Sequence, residues 1–479
     1  MGFKLVLLWT DAALWAMVAA LFAYGLRIRS QPHLRATWAR VLRDPVAASA
    51  GVVMALFFLL TTLDSAHFRA ELPPNEGSRA AGSVFYETHT RSLLDLLLAR
   101  QIAMREVSYS APLAFVGFSK EVVEGQEILR DYPRLEFGGA HLQQAERDWA
   151  GDVLRRAGSG LAWALLACGL MAALLAVGLR GAHGGFIRAW RDLFKDRTHY
   201  PWRAMLLTLA VTALLSGPAL ALMPHYHVFG TDRTGNDVLY QALKSVRTAF
   251  VIGALSTLAT LPFGLALGVL AGYFRGWVDE AIQYLYTTLS SVPNVLLIAA
   301  CVLMVQVFLD KNPDLFETGL ERGDLKLFLL CLILGVTGWA GLCRLLRGET
   351  LKLRELDFVQ AANAFGVSHR RIMARHIVPN LMHLVLITLV LSFSELILYE
   401  AVLTYVGVGV DPVMHSFGGM INLARSEMSR EPLVWWSFGA AFGFMLTLVL
   451  AANLFADGVR DAFDPKARNL RPRVLTRPA

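Results

Sequence analysis

The chain has 479 residues, 55% of them hydrophobic and only 17% charged, with a mean hydropathy of +0.47. A soluble chain of this length carries about 25% charged residues, so soluble globular and disordered classes are excluded and a polytopic membrane protein remains. The net charge of +7 sits between apolar runs, where topology and anionic headgroups account for it; nucleic-acid binding is not implied.

Nine apolar runs of roughly 20 residues, each able to cross the hydrocarbon core as a helix, fall at 5–26, 46–63, 161–179, 204–223, 249–273, 282–309, 325–346, 378–403 and 433–455. Alternating strands of a β-barrel are absent. The first run has the outline of a signal peptide, with Lys4 before it and small residues near Ala20. Asp11 and two Trp interrupt it, and cleavage would leave the arginines of 27–45 outside, so an uncleaved anchor is expected.

Segment 64–158 is the one long polar region, with 14 acids and 11 bases. Pro-Pro-Asn, Gly-Gly-Ala and Gly-Ser-Gly break it, and THTRSLLDLLLARQIAMREV and HLQQAERDWAGDVLRRAG read as helical between the breaks. At 95 residues it is large enough for a small external subdomain, which reads equally as a cap over the outer mouth or a docking surface.

Lys and Arg fix the orientation. Segment 27–45 holds five Arg; 180–203, five Arg and one Lys; 343–376, six Arg and one Lys; and the tail from 457, five Arg and one Lys. With nine spans all four lie on one side, the cytoplasm. The acidic loop 310–326, five acids against three bases, lies on the other. The N-terminus is then outside and the C-terminus inside, and the turn FRGWVDE (274–280) is the one cytoplasmic segment without a positive excess.

Catalytic chemistry is not written in this sequence. Cys168, Cys301, Cys331 and Cys343 lie in or at the ends of apolar runs, without disulfide or metal-ligand spacing, and suit helix contacts. HExxH and GxSxG are missing, and the dipeptide Gly-Lys never occurs, so there is no P-loop. Lys244 and Arg247 edge the fifth run. Glu395 and Glu400 fall within the eighth, five residues and so about 140° apart around a helix. They read as polar groups on a water-filled path in preference to a proton relay. No inverted repeat is visible.

Residues 358–380, FVQAANAFGVSHRRIMARHIVPN, interrupt two membrane-like runs. FVQAANAF favours a short helix ended by Gly366. Ala361, Ala362 and Ala364 leave a low-profile face of the kind that fits a groove on another protein. Arg370, Arg371 and Arg375 follow at a cationic helix start, and Pro379 opens the next run. A chain with a docking helix and no nucleotide site is a transducer that takes its force from elsewhere.

That stretch resembles the coupling-loop signature of ABC-importer permeases: Glu-Ala-Ala, Gly after three residues, then Ile-x-x-x-x-Ile-Leu-Pro or close variants. Here it stands as QAANAFG, followed by HIVPN at 376–380. HVFGTDRTGNDVLYQALKSVRTAFVIG (227–253) is similar to the Gly-Thr-Asp block of the C-type oligopeptide/dipeptide permeases. WVDEAIQYLYTTLSSVPNVLL (277–297), ILYEAVLTYVGVGVDPVMHSFGGMI (397–421) and ADGVRDAFDPKAR (456–468) match further blocks in order. Gln360 departs from the family's Glu, and Asn236 stands where the family has Arg. The first 226 residues exceed the family's single first span, which corresponds to 46–63 or to 204–223, so about three spans and the outer loop are additional.

The resemblance implies an all-α type I importer permease in the bacterial cytoplasmic (inner) membrane. Its partners would be a second homologous permease, two ATPase subunits, an external solute-binding protein, membrane lipid and a peptide or similar substrate. ATP and Mg would sit on the ATPases and no cofactor on this chain. The ATPase-coupling residues would be Gln360, Ala361, Ala362, Ala364, Gly366, Arg371 and Pro379, with Glu395 and Glu400 as candidate pathway-lining groups. The expected organisation is N-terminal spans at 1–63, the external subdomain at 64–158 and additional spans at 159–226. A permease core at 227–468 with its coupling loop at 356–376 follows, and then a cytoplasmic tail at 469–479. Nickel chelates, sugars and peptide antibiotics are alternative solutes. An ion-coupled carrier and a membrane receptor or scaffold are the alternative classes.

Overall fold

The computed structural model describes residues 3–72, 86–123 and 129–463. The Pro-Pro-Asn break at 73–75, the end of the 456–468 block and the tail 469–479 lie outside the described residues.

A short strand, β1 (Phe3–Val6), precedes α1 (Trp9–Ser30), α2 (Pro32–Val41) and α3 (Pro45–Asp64). Asp44 caps α3 by accepting the Ala47 N–H at 3.1 Å, with Pro45 in the first turn, a stabilising start. β2 (His67–Ala70) and β3 (Arg91–Ser92) lead into the short helices α4 (Leu93–Leu97) and α5 (Ala99–Ala103). A hairpin of β4 (Glu121–Val123) and β5 (Leu129–Asp131) follows, then α6 (Ala145–His183), α7 (Phe186–Phe194) and α8 (Trp202–Leu222). The second half comprises α9 (Val238–Phe274), α10 (Trp277–Ser291), α11 (Asn294–Lys311), α12 (Gly319–Arg354), α13 (Asp357–Ala364), α14 (His369–Tyr405), α15 (Phe417–Glu427) and α16 (Trp436–Phe463).

Among the described residues nine helices are long and apolar enough to cross a membrane: α1, α3, α6, α8, α9, α11, α12, α14 and α16. They follow the nine apolar runs in order, and the all-α polytopic class holds. Three details differ from the sequence expectation. THTRSLLDLLLARQIAMREV is helical only over Leu93–Leu97 and Ala99–Ala103, after the strand Arg91–Ser92. The run 282–309 is two helices, because Val292 is extended (φ −90°, ψ 133°) ahead of Pro293, as the residue before a proline prefers. The Gly-Ser-Gly at 158–160 is not a break but lies inside α6, which starts after His141–Gln144 and carries AERDWAGDVLRRAG on into the span. A Cβ on Gly160 would stand 2.4 Å from the Gly217 carbonyl oxygen; the bare backbone lets α6 and α8 close together, as small residues do in membranes.

Two compact units account for the contacts, both discontinuous in sequence: Met1–Leu7, Leu42–Thr248 and His415–Ala451 form the first, Leu8–Val41, Ala249–Met414 and Ala452–Ala479 the second. In the first, β1, β2 and β3 form an antiparallel sheet with Phe3 opposite Ala70 and His67 opposite Ser92. Leu94 and Leu98 of the polar segment bury against Met223 and Leu239. Lys244 gathers that segment electrostatically, with Nζ 2.6 Å from Asp64 and 3.0 Å from Asp95.

The second unit is built on α9 against α12. Gly264, Gly268 and Gly272 recur every four residues along α9, and a Cβ on Gly272 would meet Thr350 Cβ at 2.5 Å. Leu327, Leu330 and Leu334 of α12 sit in one buried cluster with Leu14, Val251, Ile298 and Leu403. The Thr10 N–H donates to Asp324 at 2.9 Å, joining α1 to the start of α12.

Candidate functional site

In the second unit, residues 356–376 fold into a short helix held between two turns. Leu356 is extended, and α13 begins at Asp357, whose charge suits a helix start. The helix stops after two turns because Gly366 takes φ +74°, a left-handed value that favours glycine. The N–H groups of Phe365, Gly366 and Val367 donate to the carbonyls of Ala361, Asn363 and Ala362 at 2.9, 3.0 and 3.1 Å, satisfying the helix's last acceptors.

Val359 anchors this helix, buried with Tyr273, Leu346, Ile372 and Ile377. Polar ties surround the anchor. The Tyr273 hydroxyl lies 2.8 Å from His369 Nδ1, Arg354 donates to the Tyr273 carbonyl at 2.7 Å, and Gln360 Nε2 donates to the Glu355 carbonyl at 3.1 Å. Arg275 pairs with Glu355 at 2.5 Å. Arg347 meets Asp279 with both ends of its fork at 2.5 and 2.7 Å, joining α10 to α12. That guanidinium holds the Asp279 carboxyl below the usual carboxylate range.

The alanine face divides. Ala361 and Ala364 are exposed, whereas Ala362 is half-buried against the Val359 cluster. Gln360, Gly366 and Arg371 are exposed, as is Pro379, which lies beyond a π turn at Met373–Ile377. The outward surface holds two residues that the sequence reading passed over, Phe365 (87% exposed) and Phe358 (44%). Seven residues apart, they fall on one helical face. Exposed aromatics on an anchored helix have the character of a contact surface.

A polar cavity of about 510 Å³ lies in the same unit, lined by Thr257, Ser290, Asn294, Thr337, Arg344 and Glu395 among others. Arg344 Nη2 donates to Ser290 Oγ at 3.4 Å, and its guanidinium lies over Tyr286. Glu395 and Glu400 are not brought together. Glu395 reaches the cavity; Glu400 is fully buried and accepts the Thr404 hydroxyl at 2.8 Å. Their angular separation around α14 produces this division.

In the first unit the Gly-Thr-Asp block is a tight turn clasped by the polar segment. Thr231 Oγ1 accepts the Ser110 N–H at 2.7 Å and donates to the Ser108 carbonyl at 2.8 Å, while Trp436 Nε1 donates to the Thr231 carbonyl at 2.9 Å. Asp232 Oδ1 accepts the N–H groups of Thr234 and Asn236 at 2.8 and 3.0 Å. Asn236, the departure from the family pattern, turns inward to Thr234 Oγ1 at 2.7 Å.

Behind the turn lies a buried triad. His227 Nδ1 is 2.9 Å from Asp237 and its Nε2 3.3 Å from Glu106. Glu106 also accepts the N–H groups of Glu136, Phe137 and Gly138 at 2.9, 3.0 and 2.9 Å. Burial alone would neutralise both, but the hydrogen bonds outweigh it. His227 is pushed up to about 9 by Asp237 and Glu106, and Glu106 is drawn down to about 2 by His227 and the three amides.

A family profile described as "Binding-protein-dependent transport system inner membrane component" matches residues 264–469. The chain is 32% identical over 250 residues to the oligopeptide transport system permease protein OppC of Haemophilus influenzae, covering 52% of this chain and 74% of that protein. It is 31% identical to the glutathione transport system permease protein GsiD of Pectobacterium atrosepticum, covering 53% and 76%. To the dipeptide transport system permease protein DppC of Bacillus subtilis it is 30% identical, covering 58% and 85%.

Proposed function

Because the chain belongs to the oligopeptide/dipeptide family of ABC-importer permeases, inner-membrane subunits of transporters, we propose that it carries peptide across the membrane and takes its driving force through α13. The relatives' named substrates, oligopeptide, dipeptide and glutathione, share a peptide backbone, which favours that class over nickel chelates or sugars. The observation that carries the coupling reading is α13 itself. Its exposed face holds Phe358, Ala361, Ala364 and Phe365, while Val359 is rooted in the same buried cluster as Leu346 of α12 and Ile377 and Leu381 of α14. A push on the exposed face is therefore passed to two membrane helices.

In this mechanism a second homologous permease completes the path, an external binding protein delivers substrate, and two ATPase subunits bind α13. ATP and Mg sit on the ATPases; this chain binds neither. ATP-driven closure of the ATPases shifts the population between inward- and outward-open states, by binding one state more tightly than the other. The polar cavity with Arg344 and Glu395 offers opposite charges to the two ends of a zwitterionic peptide. The positive segments 27–45, 180–203 and 343–376 face the cytoplasm together with α13, which puts the N-terminus outside and segment 64–158 on the outer face.

The test is reconstitution in liposomes with a second permease, ATPases and a binding protein of the same transport system. Peptide uptake that requires ATP and all subunits is the expected result, and the purified chain alone hydrolyses no ATP. Uptake driven by an ion gradient without the ATPases refutes the reading in favour of a secondary carrier. A cysteine at position 100 that reacts with an impermeant label only in opened cells overturns the orientation.

A further inference from the structure

The helices that precede the matched family region enclose a space that the transport reading leaves unused. Within the first unit a cavity of about 940 Å³ lies among α3, α6 and α8 and reaches the start of α9. Leu56, Phe57, Leu165, Met171, Leu206 and Leu215 typify its walls. Lining residues on α8 extend from Arg203 to Leu220, about 26 Å at the helical rise. That exceeds the ~15 Å of hydrocarbon in one leaflet. An apolar void of only ~150 Å³ already takes up benzene, so a space this size opening toward hydrocarbon is filled by apolar matter.

One end is cationic. Arg203 lines the cavity beside Trp190 and Phe194. The latter two belong to α7, a short helix that buries Ala189 and Leu193 and exposes Arg188 and Arg191. Arg43 hydrogen-bonds His199 in the first unit, and His183 takes up Asp192 at 3.1 Å. Among the described residues no carboxylate pairs with Arg203. An apolar slot of acyl-chain length, with Arg203 and Trp190 at one end, matches a lipid that carries negative charge on its headgroup.

We propose that this crevice is a binding site for an anionic phospholipid, with an acyl chain between α3, α6 and α8 and the phosphate on Arg203. The ligand would brace helices that otherwise leave a large gap, so that the additional N-terminal helices depend on the membrane's anionic lipid.

The test uses the full-length chain, with whatever subunits co-purify, in mild detergent. Native mass spectrometry counts bound phosphatidylglycerol or phosphatidylcholine. Cys168, a free thiol on the cavity wall, reports occupancy through its reactivity with a membrane-permeant maleimide. The expected results are preferential retention of phosphatidylglycerol and slowed Cys168 labelling. Arg203→Gln is expected to weaken phosphatidylglycerol by about fivefold, the scale of one basic side chain at an anionic surface, and to leave phosphatidylcholine unchanged. Ala213→Trp, which fills the crevice from α8, is expected to abolish retention of both lipids. Equal retention of the two lipids by the wild-type chain, or unchanged phosphatidylglycerol affinity in Arg203→Gln, overturns the proposal. So does a delipidated complex in which Cys168 crosslinks to another subunit, since a protein helix then occupies the crevice.

Discussion

Replacing Glu106 by Gln probes how the polar segment is fastened to the Gly-Thr-Asp turn. The shape is kept, but the charge facing His227 is lost, and an amide N–H₂ is set against some of the three backbone N–H groups at 136–138. Holding Glu106 at about 2 instead of 4.5 corresponds to roughly 3 kcal/mol of interaction with the charged form. The rise of His227 from 6.5 to about 9 gives a similar figure for its side of the contact, and because the contact is shared the two do not add. Both side chains are buried, so solvent screening takes little away. Roughly 3 kcal/mol is about a hundredfold in a local opening equilibrium.

Hydrogen exchange of residues 134–142 and 227–237 in the detergent-solubilised protein reads this directly, with about a hundredfold faster exchange expected in Glu106→Gln. The pH dependence has a definite sign. His227 is raised, so its contribution is complete below about 6.5 and fades as pH rises through about 9; Glu106 is lowered, so its contribution is complete above about 4.5 and fades as pH falls toward about 2. Protection is therefore greatest between about pH 4.5 and 6.5. Wild-type exchange rates in both Glu106→Gln and His227→Ala would falsify the assignment of the triad as a fastener, as would protection that increases from pH 6.5 to 9.

Three further outcomes test the second unit. Gly366→Val, strained by roughly 1–2 kcal/mol at a left-handed φ, and Ala362→Arg, which forces a cation against the Val359 cluster, are expected to abolish uptake while membrane insertion persists; wild-type uptake with the ATPases attached would reject 358–366 as the coupling element. Gly335→Val places a Cβ 2.4 Å from Ala259 Cβ and is expected to lower the thermal midpoint by an overpacking cost of about 1–3 kcal/mol; an unchanged midpoint in detergent contradicts the close approach. Asp279→Ala removes the bidentate partner of Arg347 and is expected to lower the thermal midpoint by a cost of about 1–3 kcal/mol; with Asp279 intact, Arg347→Lys is expected to keep only part of that stability, since a single ammonium does not reproduce the fork, and wild-type midpoints in both variants contradict the pair.

Spans, their number and the helical class are determined by sequence alone, because in hydrocarbon every backbone polar group has to be satisfied within its own segment. Composition over about 20 residues therefore decides structure locally. The end of α13 was equally legible, since Gly366 marks a left-handed position whatever surrounds it. What tertiary structure decided is what depends on neighbours. Gly158-Ser159-Gly160 looks like a break until α8 approaches Gly160, and the Gly264-Gly268-Gly272 stripe acquires its meaning only against α12. Ala361 and Ala362 are chemically identical, yet only the second turns toward the cluster. Glu106 and His227, 121 residues apart, show nothing in sequence that pairs them. A burial pattern shared by distant segments is set by packing, and no local rule of propensity or spacing contains it.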